Sequence, residues 1–114
     1  MTVSIERTEN VLIVSWVGQV NSANAAQVQS AFLEAIDNGE KRCVLDLTQL
    51  AYISSAGLRV ILLAAKRLKQ CGGALVLLGL QPNVREVFEI SGFLSILKVV
   101  DERAAAMAMV GAQP

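Results

Sequence analysis

The sequence predicts an α/β domain whose mostly parallel, mixed sheet has about five strands and is covered by about four helices. Strand-like and helical segments alternate along the chain, which is the pattern of a parallel sheet with crossover helices. Two of the strand segments are continuous apolar runs, as expected for strands that are covered on both faces. The 114 residues have room for one core, which excludes a two-domain enzyme with an interdomain cleft.

The chain is expected to open with an antiparallel hairpin. Val3–Ile5 and Val11–Val17 are rich in β-branched residues, and a polar stretch separates them. The hairpin is predicted to turn near Glu9 and Asn10, at the end of that stretch. Gly18–Ser22 breaks the alternation, so the second strand is expected to end before it.

A first helix and a third strand follow. Apolar residues recur at helical spacing up to a predicted stop at Asn38 and Gly39, and Arg42–Leu47 is a short apolar strand. The apolar positions of this helix are Ala25, Val28, Phe32, Ala35 and Ile36.

A second helix is predicted over about Ser55–Gln70. It ends at Cys71, Gly72 and Gly73, where glycine can adopt the left-handed conformation of a helix stop. Ala74–Leu80 has no polar alternation, so it is predicted to be a buried strand.

The third helix is expected to begin at Pro82, a residue suited to the first helical position, and to stop at Gly92. It presents Val84, Val87 and Phe88 on one face.

The last strand and the last helix complete the predicted domain, residues 1–110. Ile96–Val100 is predicted as the strand, and Asp101 is expected to cap a short helix through about Met109. Residues 111–114 are expected to form a frayed tail.

Composition and charge narrow the classes of partner. Ten basic residues balance ten acidic ones, so the chain lacks the positive field that would hold nucleic acid or an anionic membrane surface. Strictly apolar runs such as Val60–Ala65 are far shorter than the ~20 residues of a membrane span. The first residues lack the features of a signal peptide, so we expect a cytoplasmic protein with no nucleic-acid partner and no direct membrane binding.

The residue types present argue against catalysis. The chain contains no histidine, which excludes Ser-His and Cys-His nucleophiles and histidine metal sites. No phosphate-binding loop occurs, and the spacing of Cys43 and Cys71 matches no metal pattern. Asp46 ends a predicted parallel strand, as in a response-regulator receiver, but Val17–Asn21 supplies no acid for magnesium. We therefore expect no catalytic residue, no cofactor and no metal.

Two serines lie where the second helix begins. Either Ser54 or Ser55 could cap free backbone N–H groups of the helix. The same position suits a phosphoserine, because a helix N-terminus favours an anion and the small Ala56 and Gly57 leave the hydroxyl accessible. The spacing alone leaves both interpretations open.

The segment Asp46–Arg59 resembles the signature of the STAS domain, specifically that of the bacterial anti-sigma factor antagonists. Gly18 and the stretch Asn83–Phe93 extend the resemblance over nearly the whole chain. It implies a single STAS domain that performs no catalysis. It also implies that the protein binds a serine kinase acting as an anti-sigma factor, and that phosphorylation at the start of the second helix breaks this complex.

The resemblance also assigns roles to residues. In the family motif Asp-Ser-Ser/Thr-Gly-Leu the first serine is phosphorylated. Ser54 takes the place of the aspartate and Ser55 that of the acceptor, with Ser54 as the second choice for phosphorylation. Asn21 replaces an aspartate near the kinase contact. The expected partner-binding residues are Asn21, Ser22, Ser54, Ser55, Ala56, Gly57, Arg59, Val60, Leu63 and Arg67.

The second helix carries two apolar surfaces. One face can pack on the sheet. The other, formed by Ala56, Val60 and Leu63 between Arg59 and Arg67, could pack against the third helix or remain exposed as a docking patch, and the resemblance favours docking. The residues of the face expected on the sheet are Leu58, Ile61, Leu62, Ala65 and Leu68.

The implied partners are a serine-kinase anti-sigma factor of the histidine-kinase-like ATPase fold and a serine phosphatase of the PP2C type. The output would be a sigma factor or another downstream regulator. An alternative is a non-catalytic STAS accessory subunit of a transporter or a large signalling assembly, without a phosphate cycle.

Overall fold

A computed structural model describes residues 1–38 and 41–111. Within these residues the predicted α/β class is confirmed, with six strands and four α-helices. The elements are β1 (Thr2–Thr8), β2 (Val11–Val20), α1 (Ala25–Asp37), β3 (Arg42–Asp46), β4 (Leu50–Ile53), α2 (Ser55–Gln70), β5 (Ala74–Leu78), α3 (Pro82–Ile90), a 3₁₀ turn (Phe93–Ser95), β6 (Lys98–Val100) and α4 (Arg103–Val110). The Gly39 stop and residues 112–114 of the predicted tail lie outside the described residues.

The sheet is mixed, with one antiparallel strand at its edge. Its order is β1-β2-β3-β5-β6, and β1 is antiparallel to β2 while the other neighbours are parallel. β4 pairs with β2 beyond the point where β3 ends. This short strand was not predicted, because its segment was interpreted as a connection.

The hairpin between β1 and β2 turns at Glu9 and Asn10, as predicted. Glu9 and Asn10 both have positive φ angles, 53° and 64°, which matches the twist of a tight hairpin. The predicted end of β2 before Gly18 is wrong, since the strand continues to Val20. Gly18 has a φ of 108° at a register shift, and its N–H donates to the Gln49 carbonyl at 3.1 Å, so the glycine permits a bulge without ending the strand.

Apolar layers cover both faces of the sheet. On one face α1 and α2 pack over β2 and β3, and the rings of Trp16 and Phe32 meet edge to face at 5.7 Å. On the other face Ala106 and Val110 of α4 cover side chains of three strands. These strand residues are Val11, Ile13, Val44, Val76 and Leu78. Burial on both sides explains the continuous apolar runs of β3 and β5.

The helix boundaries agree with the sequence except at the C-terminal end of the chain. α2 and α3 have the predicted starts, and left-handed glycines follow both, at Gly72 (φ 78°) and Gly92 (φ 75°). Asp101 is not the cap of α4, because Glu102 precedes the helix and the Asp101 carboxylate lies 3.7 Å from the Arg85 guanidinium. The last strand is shorter than predicted, and Ile96 is two-thirds exposed. No helix among the described residues is long and apolar enough to cross a membrane.

Candidate functional site

The pairing of β2 with β4 brings the predicted site residues together. The two strands run parallel, with Val20 opposite Ile53 at their carboxyl ends. The backbone N–H of Ser54 donates to the Val20 carbonyl at 2.9 Å. The loop that begins at Asn21 therefore lies beside the first turn of α2, at the end of the sheet where parallel strands place binding residues.

Ser54 and Ser55 occupy different environments. Ser54 is the half-buried N-cap of α2, and its Oγ accepts a hydrogen bond from the Gly57 N–H at 3.2 Å. Capping is thus confirmed for Ser54. Ser55 is the first helical residue and is exposed, and its hydroxyl makes no hydrogen bond within the described part of the chain. Of the two hydroxyl groups, that of Ser55 is the accessible one.

Gly57 fixes how closely α2 approaches the strands. A Cβ at this position would lie 2.7 Å from Cγ1 of Ile53 and 2.8 Å from Cγ1 of Val20. Such distances are far shorter than van der Waals contact, so any side chain would displace the first turn of α2. Gly57 is buried and contributes close packing, and we do not retain it as a partner contact.

The loop before α1 is held by two asparagines. The Asn21 Oδ1 accepts from the N–H groups of Ala23 and Asn24, at 2.9 and 3.0 Å. In return the Asn24 Oδ1 accepts from the Asn21 N–H at 2.9 Å, and the Asn24 Nδ2 donates to the Gln19 carbonyl at 2.9 Å. Ser22 is exposed within this loop. Sequence reasoning missed Asn24, although an asparagine directly before a helical apolar pattern is a helix-start signal.

The docking patch expected on α2 is only partly exposed in the structure. Val60 is only 2% exposed and belongs to the main core, so its predicted place in a docking patch is wrong. The reason is that the buried arc of α2 is wide enough to include Val60 as well as Ile61 and Ala64. Leu63 is 37% exposed, and Arg59 is exposed as expected.

The outward surface of α2 is therefore polar at its start and mixed further along. Ser55 and Arg59 lie one helical turn apart, and Leu63 follows by a further turn. At the far end of the helix the Arg67 guanidinium pairs with the Asp37 carboxylate of α1 at 2.8 Å. Arg67 thus contributes to the packing of α1 on α2, away from the serines.

Side-chain amides secure the segment that leads into β4. Gln81 donates to the Thr48 carbonyl at 3.0 Å, and Asn83 of α3 donates to the Ala51 carbonyl. The Asp46 Oδ1 accepts from both the N–H and the hydroxyl of Thr48, at 2.9 and 2.7 Å. Asp46 thus holds the turn that follows β3.

The two cysteines of the described residues differ in burial. Cys43 is buried, and desolvation raises the pKa of its thiol from 9.0 to about 12, so it stays neutral and unreactive near pH 7. Cys71 is exposed and lies at the end of α2, far along the helix from the serines. Residues 1–38 and 41–111 contain no group of three or more histidine, cysteine, aspartate or glutamate residues that could hold a metal.

Comparison with known proteins gives one family and one function among the relatives. The family model of the STAS domain matches residues 2–106. BtrV of Bordetella bronchiseptica, which is named as an anti-sigma factor antagonist, is 55% identical over 108 residues, covering 95% of this chain and 93% of BtrV.

Solved structures share the same architecture. A protein of Thermotoga maritima described as an anti-sigma factor antagonist matches with a TM-score of 0.89 at 23% identity, covering 95% of this chain and 93% of that one. The phosphorylated form of the Bacillus protein SpoIIAA matches with a TM-score of 0.72 at 21% identity, covering 95% of this chain and 99% of SpoIIAA. At these identities the likeness establishes the fold.

Proposed function

The chain belongs to the STAS domain family, and from this membership we propose that it is an anti-sigma factor antagonist controlled by phosphorylation of Ser55. In its unmodified form it binds a serine-kinase anti-sigma factor, which frees a sigma factor or another downstream regulator. The kinase phosphorylates Ser55, and the modified protein lets the kinase go.

The observation that carries this proposal is the difference between the two serines at the start of α2. The Ser54 hydroxyl accepts the capping hydrogen bond, whereas the Ser55 hydroxyl is exposed and makes no hydrogen bond within the described residues. A kinase needs an accessible hydroxyl, so Ser55 is the acceptor and Ser54 the second choice. Support also comes from SpoIIAA, a protein of the same fold for which a phosphorylated form has been solved.

The cap also accounts for the departure from the family motif. Aspartate and serine are both strong N-cap residues because each offers a side-chain oxygen to the first free N–H groups. Ser54 uses its Oγ in this way, so it can take the aspartate's structural place. The helix start stays intact without the acidic neighbour.

The binding surface follows from what remains exposed around Ser55. It comprises Ser22 of the loop before α1, together with Ser55, Arg59 and Leu63 of α2, and the half-buried Asn21 and Ala56 lie beside them. A phosphate adds a charge of about −1.5 to −2 in the middle of this surface. The phosphate would have to lose its water on burial in the interface, which is strongly unfavourable, so the complex dissociates.

The partners of this cycle are of two classes. The kinase has the histidine-kinase-like ATPase fold, and a serine phosphatase of the PP2C type restores the unmodified form. The cycle operates in the cytoplasm, and the antagonist itself performs no catalysis. Both enzymes would approach the same exposed surface at the start of α2.

Affinity capture from native lysate with three baits tests the proposal. We expect Ser55→Ala to retain the kinase, and Ser55→Asp to lose much of it. Ser4→Asp is the matched control, because it adds the same charge at an exposed serine of β1 and should bind normally. Equal binding by the Ser55→Ala and Ser55→Asp baits would reject the switch and favour the accessory-subunit alternative.

Phosphopeptide mapping after incubation with the captured kinase identifies the acceptor. We expect the modification on Ser55. Modification of Ser54 alone would move the acceptor to the cap, and no modification at either serine would contradict the phosphate cycle.

A further inference from the structure

Arg59 is the one charged residue in the two stretches of chain that form the candidate site around Ser55. No other charged residue occurs between Val17 and Leu33 or between Leu47 and Ala65. These stretches include the end of β2, the loop before α1, all of β4 and the first turns of α2. Arg59 therefore carries the one charge in these stretches of the chain.

The spacing places this cation within reach of the serine. Ser55 and Arg59 are both exposed and are separated by four residues on α2, so their Cβ atoms lie about 6 Å apart on the same face. Side chains of a helix lean towards its N-terminus, which directs the long arginine side chain back to Ser55.

Within the part of the chain that the structure describes, Arg59 has no ion pair or side-chain hydrogen bond. By contrast Arg67, Arg85 and Arg103 each pair with a carboxylate, of Asp37, Asp101 and Glu6 respectively. The Arg85 pair belongs to α3, which packs against β4. The guanidinium of Arg59 is thus free to take an anionic partner that is created later.

We propose that Arg59 closes onto the phosphate once Ser55 is phosphorylated, forming an ion pair along one turn of α2. The inference rests on the proposed function, because it names the group that receives the phosphate. It makes Arg59 a positioning residue for the modified serine. Guanidinium groups suit this role, since they can donate two hydrogen bonds to one phosphate.

This pair gives the switch a second component. In the unmodified protein the Arg59 guanidinium is presented to the partner beside Ser55. In the phosphorylated protein the same guanidinium is engaged within the chain, so modification both adds an anion and withdraws a cation from the binding surface. An acidic partner surface would lose an attraction and meet a repulsion at one position.

The test measures the phosphate directly and needs no kinase. Phosphoserine is incorporated at position 55 during translation, and its second pKa is followed by ³¹P NMR titration. An adjacent cation stabilises the dianion, so Arg59→Gln should raise this pKa by about 0.3 units or more, the size expected for an exposed pair at this spacing. The difference should shrink as salt is added.

Two further variants separate the pair from other causes. Lys66→Gln removes an exposed cation about three turns from Ser55, and it should leave the phosphate pKa unchanged. Arg59→Lys should restore most of the wild-type value, because it keeps the charge. An equal pKa in wild type and Arg59→Gln, an equal shift in Lys66→Gln, or no restoration by Arg59→Lys would overturn the inference. None of these outcomes depends on whether a kinase modifies Ser55, so the proposed function stands or falls separately.

Discussion

Two adjacent serines in different environments lie at the centre of the candidate site. The Ser54 Oγ accepts from the Gly57 N–H, and the Ser54 N–H donates to the Val20 carbonyl. The hydroxyl of Ser55 is exposed and makes no hydrogen bond within the described residues. Spacing alone placed both serines at the start of a helix and left their roles open, whereas the resemblance to the family named Ser55 as the acceptor. The two roles differ because the Ser54 oxygen is the one that accepts from the Gly57 N–H. The extended backbone of Ser54 places it in the N-cap position.

Removing the cap should cost stability, and aspartate should restore it. Ser54→Ala leaves the Gly57 N–H without its partner, so the free energy of unfolding should fall by about 1 kcal/mol. Ser54→Asp retains a capping oxygen and should remain within a few tenths of a kcal/mol of the wild type. Chemical denaturation followed by the fluorescence of the single tryptophan measures both. Equal stability of the Ala and Asp variants would contradict the capping role.

The two cysteines should differ sharply in reactivity. Cys71 is exposed, whereas burial raises the pKa of the Cys43 thiol to about 12, so a thiol reagent at pH 8 should label one cysteine in the folded protein. A Cys71→Ser variant should label only after unfolding. Rapid labelling of native Cys71→Ser would show that Cys43 is accessible.

The same raised pKa predicts how stability depends on pH. Above pH 9 the Cys43 thiol ionises in the unfolded chain but stays protonated in the folded protein. Its contribution is therefore complete below pH 9 and is lost as the pH rises towards 12. Cys43→Ala should flatten this decline, while Cys71→Ser should not.

At the scale of elements, the predictions succeeded where the pattern was local. The α2 boundaries follow from Ser54 and the glycines after Cys71, and α3 follows from Pro82 and Gly92. β4 was missed because two of its four residues are exposed, so it carries little hydrophobic pattern. It exists through pairing with β2, a contact between distant parts of the chain that periodicity cannot reveal.

Val60 shows the corresponding limit for a helix face. The sequence indicated an apolar position off the main stripe and left packing and docking open. The outcome depends on how widely the neighbouring elements cover α2, which is a tertiary property. Leu63, three residues further along, remains partly exposed for the same reason.

Charges placed at these two positions of α2 should therefore have opposite consequences. Val60→Glu buries a carboxylate without a partner and should lower the free energy of unfolding by about 3 to 5 kcal/mol. Leu63→Glu should change it by about 1 kcal/mol or less while weakening kinase binding. Leu63→Gln controls for lost apolar contact without added charge. Normal binding by a folded Leu63→Glu protein would remove Leu63 from the binding surface.

At the scale of the whole molecule, the position of the site follows from β2. This strand pairs with β1, β3 and β4, and its end carries the loop that lies against the start of α2. The alternation of elements in the sequence predicted the parallel sheet, and binding residues commonly gather at the carboxyl ends of parallel strands. The contact between the Asn21 loop and α2 required the structure, because it depends on the unpredicted β4.

Because the start of α2 is held by the Ser54 cap and by close packing at Gly57, we expect phosphorylation to release the partner without unfolding the antagonist. The phosphate lies at the N-terminus of α2, where the helix dipole favours an anion. The free energy of unfolding of the protein with phosphoserine at position 55 should therefore lie within about 1 kcal/mol of that of the unmodified protein. Trp16 is the natural reporter, since it is fully buried and packs on Phe32 of α1. Partner binding should instead change greatly. A switch that moves the ratio of bound to free antagonist from about 99:1 to 1:99 needs ~5.5 kcal/mol of differential affinity between the two forms. Calorimetric titration of both forms against the captured kinase measures that difference. Loss of several kcal/mol of stability together with the affinity would mean that release operates through disruption of α2. Release from an intact fold would then be rejected.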